Sequence, residues 1–240
     1  MANDSVHYSL QDGIATIRMD DGKRNALSPE LLKQIYRAFD RAEADRATVI
    51  LTGREAVFSA GFDLHVMKKG GSNAIRMLHL GYALPARVLS YPYPVIAACN
   101  GHSFAMGVFL MLSADYVIGT RGEFQIAANE VAIGLPMPRV AAAVLRNRLR
   151  PAEFQRAVNL SEYFSPDKAM AAGFLDEVVE SADLRANAED CARKFQQLDR
   201  AAHTTTKRRV RKALIRRLRW SVPVDLLDAM LMGVRRARKK

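Results

Sequence analysis

Phe58-Ser59-Ala60-Gly61-Phe62-Asp63-Leu64 follows an apolar run, Thr48-Val49-Ile50-Leu51-Thr52, that reads as a buried strand, and precedes helical periodicity from Ile75 to Leu89. Small residues at 59–61 let the main chain come close to a ligand, and Asp63 suits the cap of the next helix, so N–H groups are left free at the turn. Cys99-Asn100-Gly101-His102-Ser103-Phe104-Ala105-Met106-Gly107 is built the same way. The strand Val95-Ile96-Ala97-Ala98 runs out, and Asn100-Gly101-His102 is expected to open a helix over about 105–113. A third stretch, Asn129-Glu130-Val131-Ala132-Ile133-Gly134, supplies one carboxylate in apolar company. Either turn alone reads equally as a tight strand-to-helix connection. Together they offer two N–H donors for one carbonyl oxygen, worth about 2.7–4 kcal/mol per donor, and one base, which suffices for enolate chemistry.

Outward from these stretches, alternation in Val6-His7-Tyr8-Ser9-Leu10 and Ile14-Ala15-Thr16-Ile17-Arg18-Met19, broken at Asp12-Gly13, predicts a β-hairpin. Ser28-Pro29-Glu30 starts a helix with a cap and a proline in its first turn, and Leu31, Leu32, Ile35, Tyr36 and Phe39 give that helix one apolar face. Further strands are expected at 116–118, near 124–126 and at 177–179, with helices after Pro138, Pro151 and Ser165. Strands alternating with helices define an α/β layered fold. From Ser181 only helix signals remain, around 182–199, 202–219 and after Pro223. The expected division is a core domain over 1–195 and a basic helical lobe over 196–240.

The two turns, in this order and followed by Asn129-Glu130, resemble the crotonase, or enoyl-CoA hydratase/isomerase, superfamily from the hairpin through Val179. The resemblance implies a spiral of β-β-α units with an all-helical C-terminal lobe, assembled as homo-trimers or homo-hexamers and acting on acyl-CoA, with CoA entering as part of the substrate and no separate cofactor. It implies that Phe62 donates one oxyanion N–H. The second donor is normally a glycine, and Met106 stands there, a departure from the pattern. Hydratases of the family use two glutamates; the first position falls at Phe109 and the second at Glu130, so one carboxylate is missing. Hydration must activate a water and deliver a proton, whereas moving a double bond needs a single base. The wording around Asn129-Glu130 is similar to the Δ3,Δ2-enoyl-CoA isomerase branch, which makes isomerisation the expected reaction and hydration the alternative.

On this reading Glu130, Phe62 and Met106 are the catalytic residues, and Arg24, Ala60, Gly61, Asn129 and Phe109 bind substrate. Arg24, in Lys23-Arg24-Asn25-Ala26-Leu27, is the candidate CoA contact, and Phe62, Met106 and Phe109 would line the acyl tunnel. Glu130 could instead pair with a cation such as Arg139. Apolar neighbours Ala127, Ala128, Val131 and Ile133 would otherwise raise its pKa toward that of a working base.

The chain has 240 residues and a formal net charge of +11. All of the surplus lies in residues 201–240, where 13 Lys and Arg meet only Asp225 and Asp228; residues 1–200 carry 23 basic and 23 acidic groups. An acidic carrier protein or nucleic acid is therefore a candidate partner, beside the plain reading of a solvated helix face. A crotonase scaffold without activity that binds RNA or acyl carrier protein is the reading from a different class. Basic clusters interleaved with Leu214, Ile215, Leu218 and Trp220 argue against it, because that is the spacing of a packed amphipathic helix without an aromatic stacking platform. Gly101-His102-Ser103-Phe104-Ala105 loosely resembles the nucleophile elbow of serine hydrolases, with His203 and Asp176 as partners, although its last glycine is replaced by alanine. Cys99 and Cys191 lack metal-type spacing and the histidines lack metal motifs, so no metal site is expected. The N-terminus has no signal-peptide pattern and no run is long enough to span a bilayer, which predicts a cytoplasmic location.

Overall fold

The hairpin forms where the alternation places it. In the computed structural model, which describes residues 4–237, β1 (Val6–Gln11) pairs antiparallel with β2 (Ile14–Met19), with Val6 opposite Met19 and Gln11 opposite Ile14. After β3 (Ala26–Leu27), α1 (Pro29–Ala44) begins at Ser28, whose hydroxyl accepts the Leu31 N–H, and buries Leu31, Leu32, Ile35 and Phe39. Then come β4 (Thr48–Thr52), β5 (Ala56–Ser59), β6 (Gly61–Phe62), α2 (Leu64–Lys69) and α3 (Gly71–Leu89). Asp63 caps α2 by accepting the His65 and Val66 N–H groups.

The same alternation continues with β7 (Val95–Cys99), β8 (Gly101–Phe104) and α4 (Met106–Met111), and again with β9 (Tyr116–Thr120), β10 (Ile126–Ala127) and α5 (Arg139–Arg148). The first strand of each unit joins a six-stranded sheet, and the second joins a small parallel sheet in the order β10-β8-β5. Beyond α6 (Pro151–Asn159) and α7 (Pro166–Ala172), β11 (Glu177–Val179) completes the large sheet, whose order is β1-β2-β4-β7-β9-β11. From β2 onward that sheet is parallel, with Val49 opposite Val95, Ile96 opposite Tyr116 and Ile118 opposite Glu177. A parallel sheet is covered on both faces. Val49, Leu51, Val95, Ala97 and Val117 accordingly face the main core, while Ile50, Ile96, Ala98 and Ile118 face α8 (Leu184–Gln196). The result is an α/β spiral of β-β-α units with a helical C-terminal region.

Two expectations fail in this region. Gly101–Phe104 is a strand rather than the start of a helix, because it is bracketed by β5 and β10; the helix begins at Met106. The helices expected around Pro223 are one, α9 (Arg200–Ala237), which packs on α3 and α5. Pro223 is solvent-exposed, so the carbonyl it leaves unpaired one turn earlier can bond to water. Lys207 fastens α9 to the core: its buried ammonium donates to the Tyr93 carbonyl at 2.9 Å and to Asp115 at 2.6 Å, and Arg211 meets the other Asp115 oxygen at 2.9 Å. The second basic cluster of the sequence, Arg235-Arg236 and Arg238-Lys239-Lys240, lies outside the residues whose side chains are described. No described helix is long and apolar enough to cross a membrane.

Candidate active site

The first turn is built on Asn25, whose buried side chain donates to the Met19 and Phe58 carbonyls while the Ser59 hydroxyl donates to the Asn25 carbonyl. The Ala60 N–H donates to the Arg24 carbonyl at 3.0 Å, and the Arg24 side chain is exposed. Ala26 pairs with Gly61 and Leu27 with Phe62 in a short parallel ladder, in which the Asp63 N–H reaches the Leu27 carbonyl at 3.3 Å. Ladder bonds leave from alternate residues of a strand, so the Phe62 N–H points away from β3.

The second turn lies directly against the first. Gly61 has φ +84°, and a methyl group built on it would stand 2.9 Å from both the Ala105 Cβ and the Phe104 carbonyl oxygen and 3.3 Å from the Met106 nitrogen. A methyl group on Gly107 would meet the Ser59 carbonyl oxygen at 2.7 Å. Only glycine at both positions permits this approach. Ala105, at φ +49°, turns the chain from β8 into α4, so Met106 is the first helical residue and its N–H has no carbonyl one turn back to bond. Asn100 ties the turns together at their base, donating to the Arg54 carbonyl and accepting the Gly53 N–H. The side chains of Met106 and Phe109 are 0% and 1% exposed and belong to the main core.

Glu130 opens a turn after β10 and is 6% exposed. Its Oε2 has no hydrogen-bond partner. Burial pushes its carboxyl up to about 7, opposed in part by a bond from its own backbone N–H. The apolar surroundings differ from the sequence reading, since Ala127 and Ala128 are fully buried but Val131 and Ile133 point outward. Arg139 does not neutralise the acid either. It pairs with Asp225 at 3.1 Å and Asp228 at 2.5 Å. Asn129 donates to the Tyr163 hydroxyl at 3.3 Å, and Tyr163 packs edge-on against Phe104 of β8.

Two residues missed by sequence reasoning connect these pieces. Tyr82 of α3 is buried, with its ring edge-on to Phe62 at 5.6 Å between centroids. Burial and the nearby charges of Asp225 and Glu130 hold its phenol well above the ordinary range, so it stays protonated. Asp225 of α9 accepts the Arg139 and Val140 N–H groups at 3.0 and 2.9 Å, supplying from a distant part of the chain the cap that α5 lacks. In sequence Tyr82 is one more apolar residue of α3 and Asp225 one acid in a basic tail, so neither carries a local signal.

The hydrolase constellation is not assembled. Ser103 is buried inside β8, Asp176 binds the Val117 N–H and Arg148, and His203 lies beside Tyr93 and Pro94. His102 is structural, accepting the Gln125 N–H and packing between Phe104 and Phe124. Among the described residues no cluster of His, Cys, Asp or Glu could hold a metal ion.

This arrangement has close counterparts. Residues 9–226 match the family model for enoyl-CoA hydratase/isomerase, and the chain belongs to that family. An enoyl-CoA hydratase/isomerase family protein from Pseudomonas syringae superposes with a TM-score of 0.91 at 43% identity, covering 93% of this chain and 97% of its own. A Mycobacterium tuberculosis protein described in one structure as an enoyl-CoA isomerase and in another as a probable enoyl-CoA hydratase gives TM-scores of 0.88 and 0.91 at 39% and 38% identity, covering 92% and 99% of this chain and 97% and 100% of its own. The rat mitochondrial enoyl-CoA delta isomerase 1 is 29% identical over 215 residues, 87% of this chain and 74% of the relative. The chain is thus an enzyme of acyl-CoA chemistry with the crotonase fold.

Proposed function

We propose that the chain is a Δ3,Δ2-enoyl-CoA isomerase. The observation that carries this reading is the buried Glu130 with an unpartnered oxygen; the resemblance supplies the other support, since Phe109 stands at the position where it expects a hydratase's second acid. The ionised Glu130 removes a proton from C2 of a 3-enoyl thioester. Negative charge then spreads over the dienolate, and its oxygen accepts hydrogen bonds from the Phe62 and Met106 N–H groups. Glu130 returns the same proton to C4, leaving the double bond between C2 and C3. Addition of water would need an acid to protonate carbon while a base activates the water, and Phe109 supplies neither. Ala60 and Gly61 give main-chain contacts to the thioester arm, Asn129 shapes the site beside the acid, and the exposed Arg24 guanidinium is available to CoA phosphates. No cofactor beyond the substrate's own CoA is required. Exposed Val131 and Ile133, flanking the acid, provide apolar surface for assembly as a trimer or hexamer.

The test is purified protein given a 3-enoyl-CoA, with product followed by chromatography. The 2-enoyl-CoA should accumulate and persist. Rapid conversion onward to the 3-hydroxyacyl-CoA would assign the chain to the hydratases instead.

Asp225 provides a second measurement. Asp225→Ala strands two N–H groups at the start of α5, the helix that ends the Glu130 loop, at a cost of about 2 kcal/mol. A lower Tm is expected together with about a tenfold fall in kcat, since small misplacement of a catalytic group is costly. Unchanged turnover at reduced stability would show that α9 does not position the base.

A further inference from the structure

α3 carries one glycine in its interior, Gly81, and the backbone there does not call for it. Gly81 is buried and keeps the negative φ of an ordinary helical residue, where glycine weakens a helix relative to alanine. The reason for it lies in what faces it. A methyl group built on Gly81 would overlap Cε1 and Cζ of Phe62 and stand 3.5 Å from Cδ1 of the same ring. The side chain that α3 lacks is the seat of the Phe62 ring.

Tyr82, the next residue of α3, holds that ring from a second direction, edge-on at 5.6 Å between centroids with the planes 79° apart. Tyr82 is itself buried in the main core, so the Phe62 ring has no room to turn toward it. The backbone of Phe62 needs such an anchor. β6 is two residues long and has β3 as its one neighbour in a two-stranded sheet. The ladder therefore fixes one edge of β6, and the Phe62 N–H leaves from the other. The ring is joined to the same Cα through a single methylene, so a ring clamped on α3 fixes how the Phe62 peptide unit is turned.

We propose that Gly81 is a positioning residue for the oxyanion donor: it opens the seat in which the Phe62 ring is clamped beside Tyr82, and the clamped ring aims the Phe62 N–H at the thioester oxygen. Gly81 acts through Phe62 and not on the substrate. The inference rests on the assignment of the Phe62 N–H as a donor, but not on which reaction follows enolate formation. A glycine kept only to bring α3 close to β6 would matter equally with or without the ring.

That difference sets the experiment. Gly81→Ala should lower kcat about thirtyfold with little change in KM, short of the roughly 100- to 1000-fold lost with a whole oxyanion donor. Phe62→Ala keeps the main-chain N–H but lets the peptide unit rock, and should cost about fivefold. The double variant should cost about what Phe62→Ala costs alone, because the added methyl group no longer meets a ring; independent effects would multiply to about 150-fold. A spectroscopic readout stands beside turnover. The carbonyl stretch of bound butanoyl-CoA, labelled with carbon-13 at that carbonyl, should lie below its frequency in water, since two N–H donors polarise the bond. Gly81→Ala should return the band partway, and the double variant should bring it to the Phe62→Ala position. If the chain proves not to isomerise, the band alone decides. A parent band at the frequency in water would remove the donor assignment and this inference with it. A shifted parent band left in place by Gly81→Ala, or a double variant as slow as the product of the two single effects, would overturn this inference alone. If Gly81→Ala fails to fold, the double variant decides: recovery of the fold and of Phe62→Ala turnover supports the clash with the ring, and failure to recover overturns it.

Discussion

Glu130→Gln is expected to lower isomerase kcat/KM by about a thousandfold, within the range spanned by positioned general bases, and to change the pH dependence of stability in a defined direction. The substitution keeps the side chain's size and removes only its ability to carry a proton back and forth. In the parent, kcat/KM should rise about tenfold per pH unit up to about 7 and then level off, because burial raises the Glu130 carboxyl to about 7 and only its ionised form removes a proton. Linkage fixes the sign for stability. The folded-state value lies above the ordinary 4.5, so folding favours the protonated acid. Stability is full below about pH 4.5, is lost progressively as pH rises through about 7, and is constant above that. The loss amounts to about 3 kcal/mol. Urea unfolding at pH 5 and pH 8 should show parent and variant drawing apart by about that amount, the glutamine form gaining at the higher pH. A variant that retains activity would remove Glu130 from the chemistry, and a parent whose stability is flat across this window would contradict its burial as an ion.

Why sequence alone exposed some of this and not the rest follows from the range of the forces involved. The hairpin, the Ser28 cap and the Asp63 cap are each decided within a few residues, so alternation and capping chemistry reveal them. The turn through Ser59-Ala60-Gly61 into the Asp63-capped helix is local for the same reason. β8 was hidden because Gly-His-Ser-Phe has no strand periodicity and is held extended by partners about 45 and 23 residues away along the chain. Pro223 is a local stop signal overruled by α9's packing on α3 and α5. The surroundings of Glu130 were the least legible part. Its apolar sequence neighbours Val131 and Ile133 turn to solvent, Arg139 is drawn to Asp225 and Asp228, and Tyr82 arrives from α3. Desolvation at that carboxylate is a property of the assembled layers, and the residues around it are far apart in the chain.

Gly61→Ala should produce the other large effect, because it tests whether the two turns must touch. The left-handed backbone at φ +84° costs an alanine about 1 kcal/mol. The methyl group would also press on the Phe104 carbonyl oxygen and the Ala105 Cβ at 2.9 Å, and neither can rotate aside. Relief requires β6 and the start of α4 to separate by several tenths of an ångström, which carries the Phe62 N–H away from the Met106 N–H. Losing the alignment of one oxyanion donor lowers kcat by about 100- to 1000-fold, and a total stability loss of about 2–3 kcal/mol is expected. Gly22→Ala separates the two causes, since Gly22 has φ +74° with nothing within 4 Å of the added methyl group. It should lose about 1 kcal/mol of stability and keep full turnover. If Gly61→Ala behaves like Gly22→Ala, strain alone explains its effect and the close approach of the two turns is not what stabilises the enolate. If its turnover collapses while Gly22→Ala is unaffected, contact between the turns is what sets the geometry of the donors.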